Sequence, residues 1–208
     1  RVELGYSATD LGATEDRVIL NLDYQDALLT AARRHVRYAF VQTGSYRLDQ
    51  DRVENLEMRL QLEAFLITQE LGASSWYARI EGAVAHNLTA DKNLLLGGDV
   101  GLRGYPSDYQ QGDRGVLATL ERRYFPDWYP FQLFRLGGLL FTDVGRAWYQ
   151  DGQNNGPDGG WLTDVGFGLR LASPRIEVQR MLHLDFAFPL DGDDSIEAVQ
   201  ILLRGRSR

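Results

Sequence analysis

The stretch from Val53 to Leu66, VENLEMRLQLEAFL, decides how the chain is read. Leu56, Met58, Leu60, Leu62, Ala64 and Leu66 occupy every second position, with Glu57, Arg59, Gln61 and Glu63 among the residues between them. A period of two places successive side chains on opposite faces of a β-strand. A helix would scatter those charges around its circumference. The stretch is therefore a strand with one apolar and one polar face.

The same division recurs along the chain. Trp161, Thr163, Val165, Phe167, Leu169 and Leu171 oppose Leu162, Asp164, Gly166, Gly168 and Arg170. Leu182, Leu184, Phe186 and Phe188 oppose His183 and Asp185, and Val18, Leu20, Leu22 and Tyr24 oppose Asn21, Asp23 and Gln25. Ten strands are expected, at about 1–7, 16–26, 32–46, 53–68, 75–88, 115–125, 132–147, 161–172, 179–190 and 196–204. Short connections (26–31, 69–74, 126–130, 173–178) largely alternate with long ones (87–114, 149–160), as in outer-membrane barrels.

Several strands exceed the usual average of about 5–6 residues and reach the roughly 9–11 that cross a bilayer at a tilt. Trp76, Trp128, Tyr129, Trp148 and Trp161 fall near strand ends, where an interfacial aromatic girdle would place them. The polar faces carry charges and glycines, as a wet lumen would. The expected fold is an all-β, antiparallel up-and-down transmembrane β-barrel; a soluble β-sandwich or lipocalin-like barrel is the alternative with the same alternation.

The chain has 208 residues, 44% hydrophobic and 25% charged, a composition that fits an ordered protein. Its net charge of −7 argues against nucleic acid as a partner, because phosphate binding needs a clustered basic face. With no cysteine, neither a disulfide framework nor a thiolate metal site is possible. Every basic residue except Lys92 is arginine, the cation preferred where charge is buried or paired bidentately. A mean hydropathy of −0.31 and the lack of any apolar run near 18 residues exclude a helical membrane protein but not a barrel. The opening RVELGYSATD has no charged n-region followed by an apolar h-region, so no signal peptide is expected, and the chain reads as mature, trimmed or a fragment.

Between Gly97 and Gly115 runs GGDVGLRGYPSDYQQGDRG, about twenty residues of loop composition. Structureless loops of that length are usually functional or disordered. Arg103 stands alone between Gly101 and Gly104, and desolvating it is costly unless it meets carboxylates. Two candidates follow. Glu121 alternates with Leu117, Thr119 and Arg123, and Asp143 alternates with Arg135, Gly137, Leu139, Phe141 and Gly145. The opposite face of that second strand, Phe134, Leu136, Gly138, Leu140, Thr142 and Val144, has no charge, so Asp143 is expected on the lumen side. A charge-assisted, bidentate bond from Arg103 would fix the loop, 89–114, inside the lumen.

Leu102-Arg103-Gly104-Tyr105 resembles the (V/L)-R-G-(F/Y) motif in the long sixth loop of the Omp85 superfamily, the bacterial surface antigen (D15) barrels. Phe141-Thr-Asp143-Val-Gly145 is similar to the F-x-D-x-G motif of the same family, and Gly97-Gly98 and Leu120-Glu121 fit as well. The resemblance is best over 94–203 and implies the C-terminal part of a sixteen-stranded barrel, with 1–208 a partial barrel domain. It implies that Arg103 docks on Asp143, with Glu121 as second contact. It further implies a location in the bacterial outer membrane, contact with its lipid, and a part in inserting or translocating unfolded β-rich proteins. The family's periplasmic POTRA repeats are not in this sequence, and it ends Gly205-Arg-Ser-Arg208 where such proteins commonly end on an aromatic.

No enzymatic function, cofactor or metal is expected. His35, His86 and His183 sit on different strands without metal-ligand spacing. No Gly-x-Ser-x-Gly elbow occurs. Asp151-Gly-Gln153-Asn-Asn155-Gly156 starts like a calcium loop, but Leu162 stands where a bidentate Glu is required. Asp191-Gly-Asp193-Asp194 reads as a hairpin turn, and the glycines around Arg103 lack the lysine and helix of a phosphate loop. Two further functions stay open: a barrel that anchors or exports a fused, patatin-like enzyme domain, and a soluble β-barrel binding a small apolar ligand.

Overall fold

The structure, a computed structural model, describes residues 1–31, 34–68, 73–98, 101–126, 135–153, 156–172 and 180–207. Trp128, Tyr129, Phe134 and Asn155, which the sequence singled out, lie outside the described residues.

In chain order the strands are β1 (Val2–Ser7), β2 (Arg17–Ala31), β3 (Arg34–Arg47), β4 (Arg52–Thr68), β5 (Ala73–His86), β6 (Leu94–Leu96), β7 (Gln110–Gly112), β8 (Arg114–Phe125), β9 (Arg135–Trp148), β10 (Leu162–Ala172), β11 (Arg180–Pro189) and β12 (Gln200–Ser207). Ten of them form one sheet in the order β1-β2-β3-β4-β5-β8-β9-β10-β11-β12, while β6 and β7 pair with each other inside the long loop. Each strand is antiparallel to its neighbour.

The sheet does not close. β1 and β12 are its two edges, so the molecule is built of two open antiparallel sheets and not the expected transmembrane barrel. Alternation dictates which side chains share a face, and short connections dictate strand order. Closure needs more: the first and last strands must meet with a consistent tilt and stagger. An open edge in hydrocarbon would also leave a row of backbone groups unpaired, at several kcal/mol each. The Omp85 assignment, the outer-membrane location, the lipid contact and the role in protein insertion or translocation were implied by the resemblance of two short motifs to a barrel family; the open sheet is not the barrel they implied, and all are set aside.

Two strand ends differ from the pattern for local reasons. β2 runs on to Ala31, because Asp26 to Ala31 contains no Gly, Pro or Asn to turn it. The last strand begins at Gln200 and not near 196. Ile196 instead packs against a buried cluster of Leu96, Leu102, Tyr105, Tyr109, Leu117, Ala147 and Leu162.

Burial is inside out. On β9 the face with Gly137, Leu139, Phe141, Asp143, Gly145 and Ala147 is buried, whereas Leu140 on the other face is 64% exposed. Leu60, Leu62, Ile80, Leu120, Phe167, Ile201 and Leu203 are exposed as well, while Glu54, Glu81, Glu121, Asp143, Asp164, Arg170 and Asp185 are buried. The polar face is covered because the long loop lies on it. The loop touches β4 through Asn55, β8 and β9 through Arg103, β10 through Gly104 and β12 through Arg204.

Candidate functional site

The loop leaves β5 beside a bulge in the β3–β4 pair. Pairing between β3 and β4 slips between Thr43 and Ser45, and Asn55 takes a left-handed φ of 54°, a conformation that Asn tolerates better than most residues. The turned Asn55 accepts hydrogen bonds on Oδ1 from the Thr89 backbone N–H and hydroxyl, each at 3.0 Å. Its own N–H donates to the carbonyl of Asn87. The root of the loop is thereby tied to β4.

Further along, Gly97 has a φ of +130°, and a Cβ there would lie 2.3 Å from the Pro106 carbonyl oxygen. Only glycine permits that crossing. The turn beyond it presents Arg103 to the sheet. Arg103 Nε donates to Asp143 Oδ2 at 2.7 Å, Nη2 to Asp143 Oδ1 at 3.0 Å, and Nη1 to Glu121 Oε1 at 2.9 Å. The guanidinium also lies 3.5 Å from the centroid of the Phe141 ring. A bidentate fork on one carboxylate, a second carboxylate and an aromatic face together use most of what a guanidinium can offer.

The network extends beyond these three side chains. Arg123 donates to the other oxygen of Glu121, and Arg170 grips Asp185, which lies 3.9 Å from Arg103 Nη1. Burial works to raise the Glu121 pKa, but Arg123 and Arg103 outweigh it and hold this carboxyl below its ordinary value. For Arg103 burial works downward, and Asp143, Glu121 and Asp185 more than offset it, so the guanidinium is held charged.

Asp164 is the odd member. It is fully buried and sits directly opposite Asp143 in the β9–β10 register. Burial first, and then the charge of Asp143, push its carboxyl up to about 8, although the Gly104 N–H donates to its Oδ2 at 2.8 Å. Around it Arg103, Arg123 and Arg170 pair with Asp143, Glu121 and Asp185, and the upward shift favours the protonated form of Asp164.

The residues flanking Arg103 lock the loop by shape. Leu102 is fully buried in the apolar cluster. The Tyr105 hydroxyl donates to the Thr163 carbonyl at 2.8 Å and accepts from the Thr163 and Asp191 N–H groups at 3.1 and 3.3 Å. At Gly145 an added Cβ would stand 2.9 Å from the Val116 carbonyl oxygen and 3.2 Å from Leu96. Gly104 is as tight, since a Cβ would meet Asp164 Cβ at 2.6 Å and the Pro189 nitrogen at 3.0 Å. Gly104→Ala should therefore destabilise the protein by about 1–3 kcal/mol through overpacking, read as a lower urea midpoint with an unchanged slope.

A second polar constellation lies where residues 88–91 of the loop face β2, β3 and β4. A cavity of about 580 Å³ is lined there by Arg17, Arg47, Arg52, Glu15, Glu54 and Asp91, among others. Glu54, with no exposed side-chain surface, pairs with Arg52 at 2.6 Å, Arg17 at 3.2 Å and Arg47 at 3.4 Å. Glu15 pairs with both Arg17 and Arg47. Arg47 also pairs through Nε with Asp49 at 3.4 Å, and the Arg17 Nε, Arg47 Nε and Glu54 Oε2 atoms are buried without a hydrogen-bond partner.

The structure thus brings Arg103, Asp143, Glu121 and Phe141 into direct contact, and places Leu102, Gly104, Tyr105 and Gly145 around them. The loop does this on the face of an open sheet and not in a lumen. Sequence reasoning missed Asp164, Arg170 and Asp185 as network members and the whole Arg17–Arg47–Arg52 cluster. Asp164 and Arg170 were visible as charges on a glycine-bearing face, but their role depends on register, which the 149–160 connection obscures. The three histidines lie on β3, β5 and β11, and among the described residues no group of three or more acidic or histidine side chains could hold a metal. Asp151 is used locally, accepting from the Gln153 N–H and side chain.

No family model matches this sequence and no curated protein is significantly similar to it, so the two short motifs around Arg103 and Asp143 stand without a family behind them.

Proposed function

We propose that the chain is a non-catalytic binding domain, in which the Arg103 network fixes the long loop as one wall of a polar ligand site. The observation that carries this is the 580 Å³ cavity between the loop root and strands β2 to β4, of a size in the range usual for small-molecule sites. The carboxylates that would otherwise suggest acid–base chemistry are spent on the protein's own arginines: Asp143 and Glu121 on Arg103, and Asp185 on Arg170. The ligand is polar rather than apolar, because the charged face is the one that is enclosed.

Ligand-observed NMR with a mixture of small polar compounds tests this. Saturable binding to the wild-type protein, weakened at least tenfold when Arg103→Ala frees the loop, is the expected result. A protein that binds none of them, or binds equally well with its loop released, would contradict the proposal.

A further inference from the structure

We propose that Asp164 is a pH-operated latch for the turn Leu102 to Tyr105: the turn docks tightly while the Asp164 carboxyl holds a proton and loosens as that proton leaves. This concerns the loop itself and holds whether or not the loop walls a ligand site. Asp164 and Asp143 are both fully buried and lie directly opposite each other across β10 and β9. Residues so opposed have Cα atoms about 4.5–5.5 Å apart, and two carboxylate charges that close and that dry repel strongly. Asp143 is the one that Arg103 grips through both oxygens. On Asp164 the Gly104 N–H reaches Oδ2 at 2.8 Å, while Oδ1 is buried with no hydrogen-bond partner. An ionised carboxylate needs more donors than that, so the site suits the neutral acid.

The neighbouring charges are committed elsewhere. Arg103 of the loop serves Asp143 and, on β8, Glu121; Arg123 of β8 also serves Glu121; Arg170 of β10 holds Asp185 of β11. Among the described residues no cation forms a salt bridge with Asp164. β11 sets uncharged Pro189 opposite it, and Asp191 just beyond gives its N–H to Tyr105. The Tyr105 hydroxyl is pushed up to about 12, mainly by burial, and stays protonated where Asp164 titrates.

The route to water decides what moves. β10 is paired at Asp164 on both sides, so hydrating the carboxylate from within the sheet would break the ladder. The turn is the remaining cover: a Cβ added to Gly104 would stand 2.6 Å from Asp164 Cβ. The docked form therefore holds the proton more tightly than a lifted form in which Asp164 is hydrated. From the ordinary carboxyl range up to about 8 the lifted fraction rises by up to tenfold per pH unit, and above that it levels off.

The chain has no cysteine, so single introduced thiols report each movement by reaction with a maleimide. Leu102→Cys, at a fully buried position in the turn, reads its lifting; Leu139→Cys, buried on β9, reads opening of the sheet. Rates are corrected for thiolate content with the denatured proteins. Between pH 6 and 8 the corrected rate at position 102 should rise at least tenfold, the rate at 139 should rise less, and Asp164→Asn added to Leu102→Cys should abolish the excess. Carbon-13 NMR of the wild-type protein should show the Asp164 carboxyl titrating well above the ordinary carboxylate range. A flat corrected rate at 102, an excess that survives Asp164→Asn, equal acceleration at 139, or an Asp164 that titrates in the ordinary range would each overturn the latch.

Discussion

Arg103→Ala should lower the stability of the protein by about 3–5 kcal/mol, the range for breaking a buried ion pair by removing one partner. The reason is what remains. Asp143 and Glu121 are buried, and without the guanidinium Asp143 loses two charge-assisted hydrogen bonds and Glu121 one. The stacking over Phe141 disappears as well. For a chain of this size each kcal/mol shifts the midpoint of thermal unfolding by roughly 2–4 °C, so a fall of roughly 10 °C follows. Arg103→Lys should recover only part of the loss, because an ammonium cannot engage both oxygens of Asp143 and Glu121 with one rigid fork. Equilibrium urea unfolding of the three proteins checks the order.

The second large effect is on pH dependence. Asp164 titrates near 8 in the folded protein and near its ordinary 3.8 when unfolded. Between those values the native state holds a proton that the unfolded state does not, so stability falls as pH rises. The contribution is fully present below the unfolded value and is lost as pH climbs through about 8. The steepest slope one such group can give is about 1.4 kcal/mol per pH unit.

Asp164→Asn should flatten that limb. Its amide oxygen can still accept from the Gly104 N–H, and it has no charge to lose. The variant should match the wild type at the acid end, pull ahead of it progressively as pH rises from the ordinary carboxyl range to about 8, and hold a constant lead above that. At the acid end Glu121 acts with the opposite sign: its folded pKa is depressed, so its contribution is present above the ordinary carboxyl range and lost as pH falls through the depressed value. Midpoints measured from pH 2 to 10 separate the two limbs.

The sequence made the faces of the sheet legible, and with them the local partners of Arg103. Alternation on β9 put Asp143 opposite an uncharged face, and an isolated arginine among glycines asked for a carboxylate. Such readings hold because strand geometry is local. Closure is not local. The pattern that reads Leu60, Leu62, Leu140 and Phe167 as one kind of surface is silent on what covers it, and in the structure those residues are exposed.

Register was the other hidden quantity. Asp164 meets Asp143 only because β9 and β10 pair so that Thr142 lies against Val165 and Val144 against Thr163. A slip of one residue would send Asp164 to the opposite face. The arginine cluster was missed for a related reason. Arg17, Arg47 and Glu54 are separated along the chain and meet only because β2, β3 and β4 are neighbours, with a bulge at Gly44 and Asn55 setting their register.

The central claim, that the long loop is locked to the polar face through Arg103 and its neighbours, is tested most directly by native-state hydrogen exchange at the Gly104 amide. That N–H is held by a carboxyl group on the sheet and not by the loop itself. The account predicts that it exchanges as slowly as the amides in the middle of β9, and that Arg103→Ala speeds it selectively. Exchange as fast as at the exposed turn 151–153 in the wild-type protein would contradict the lock.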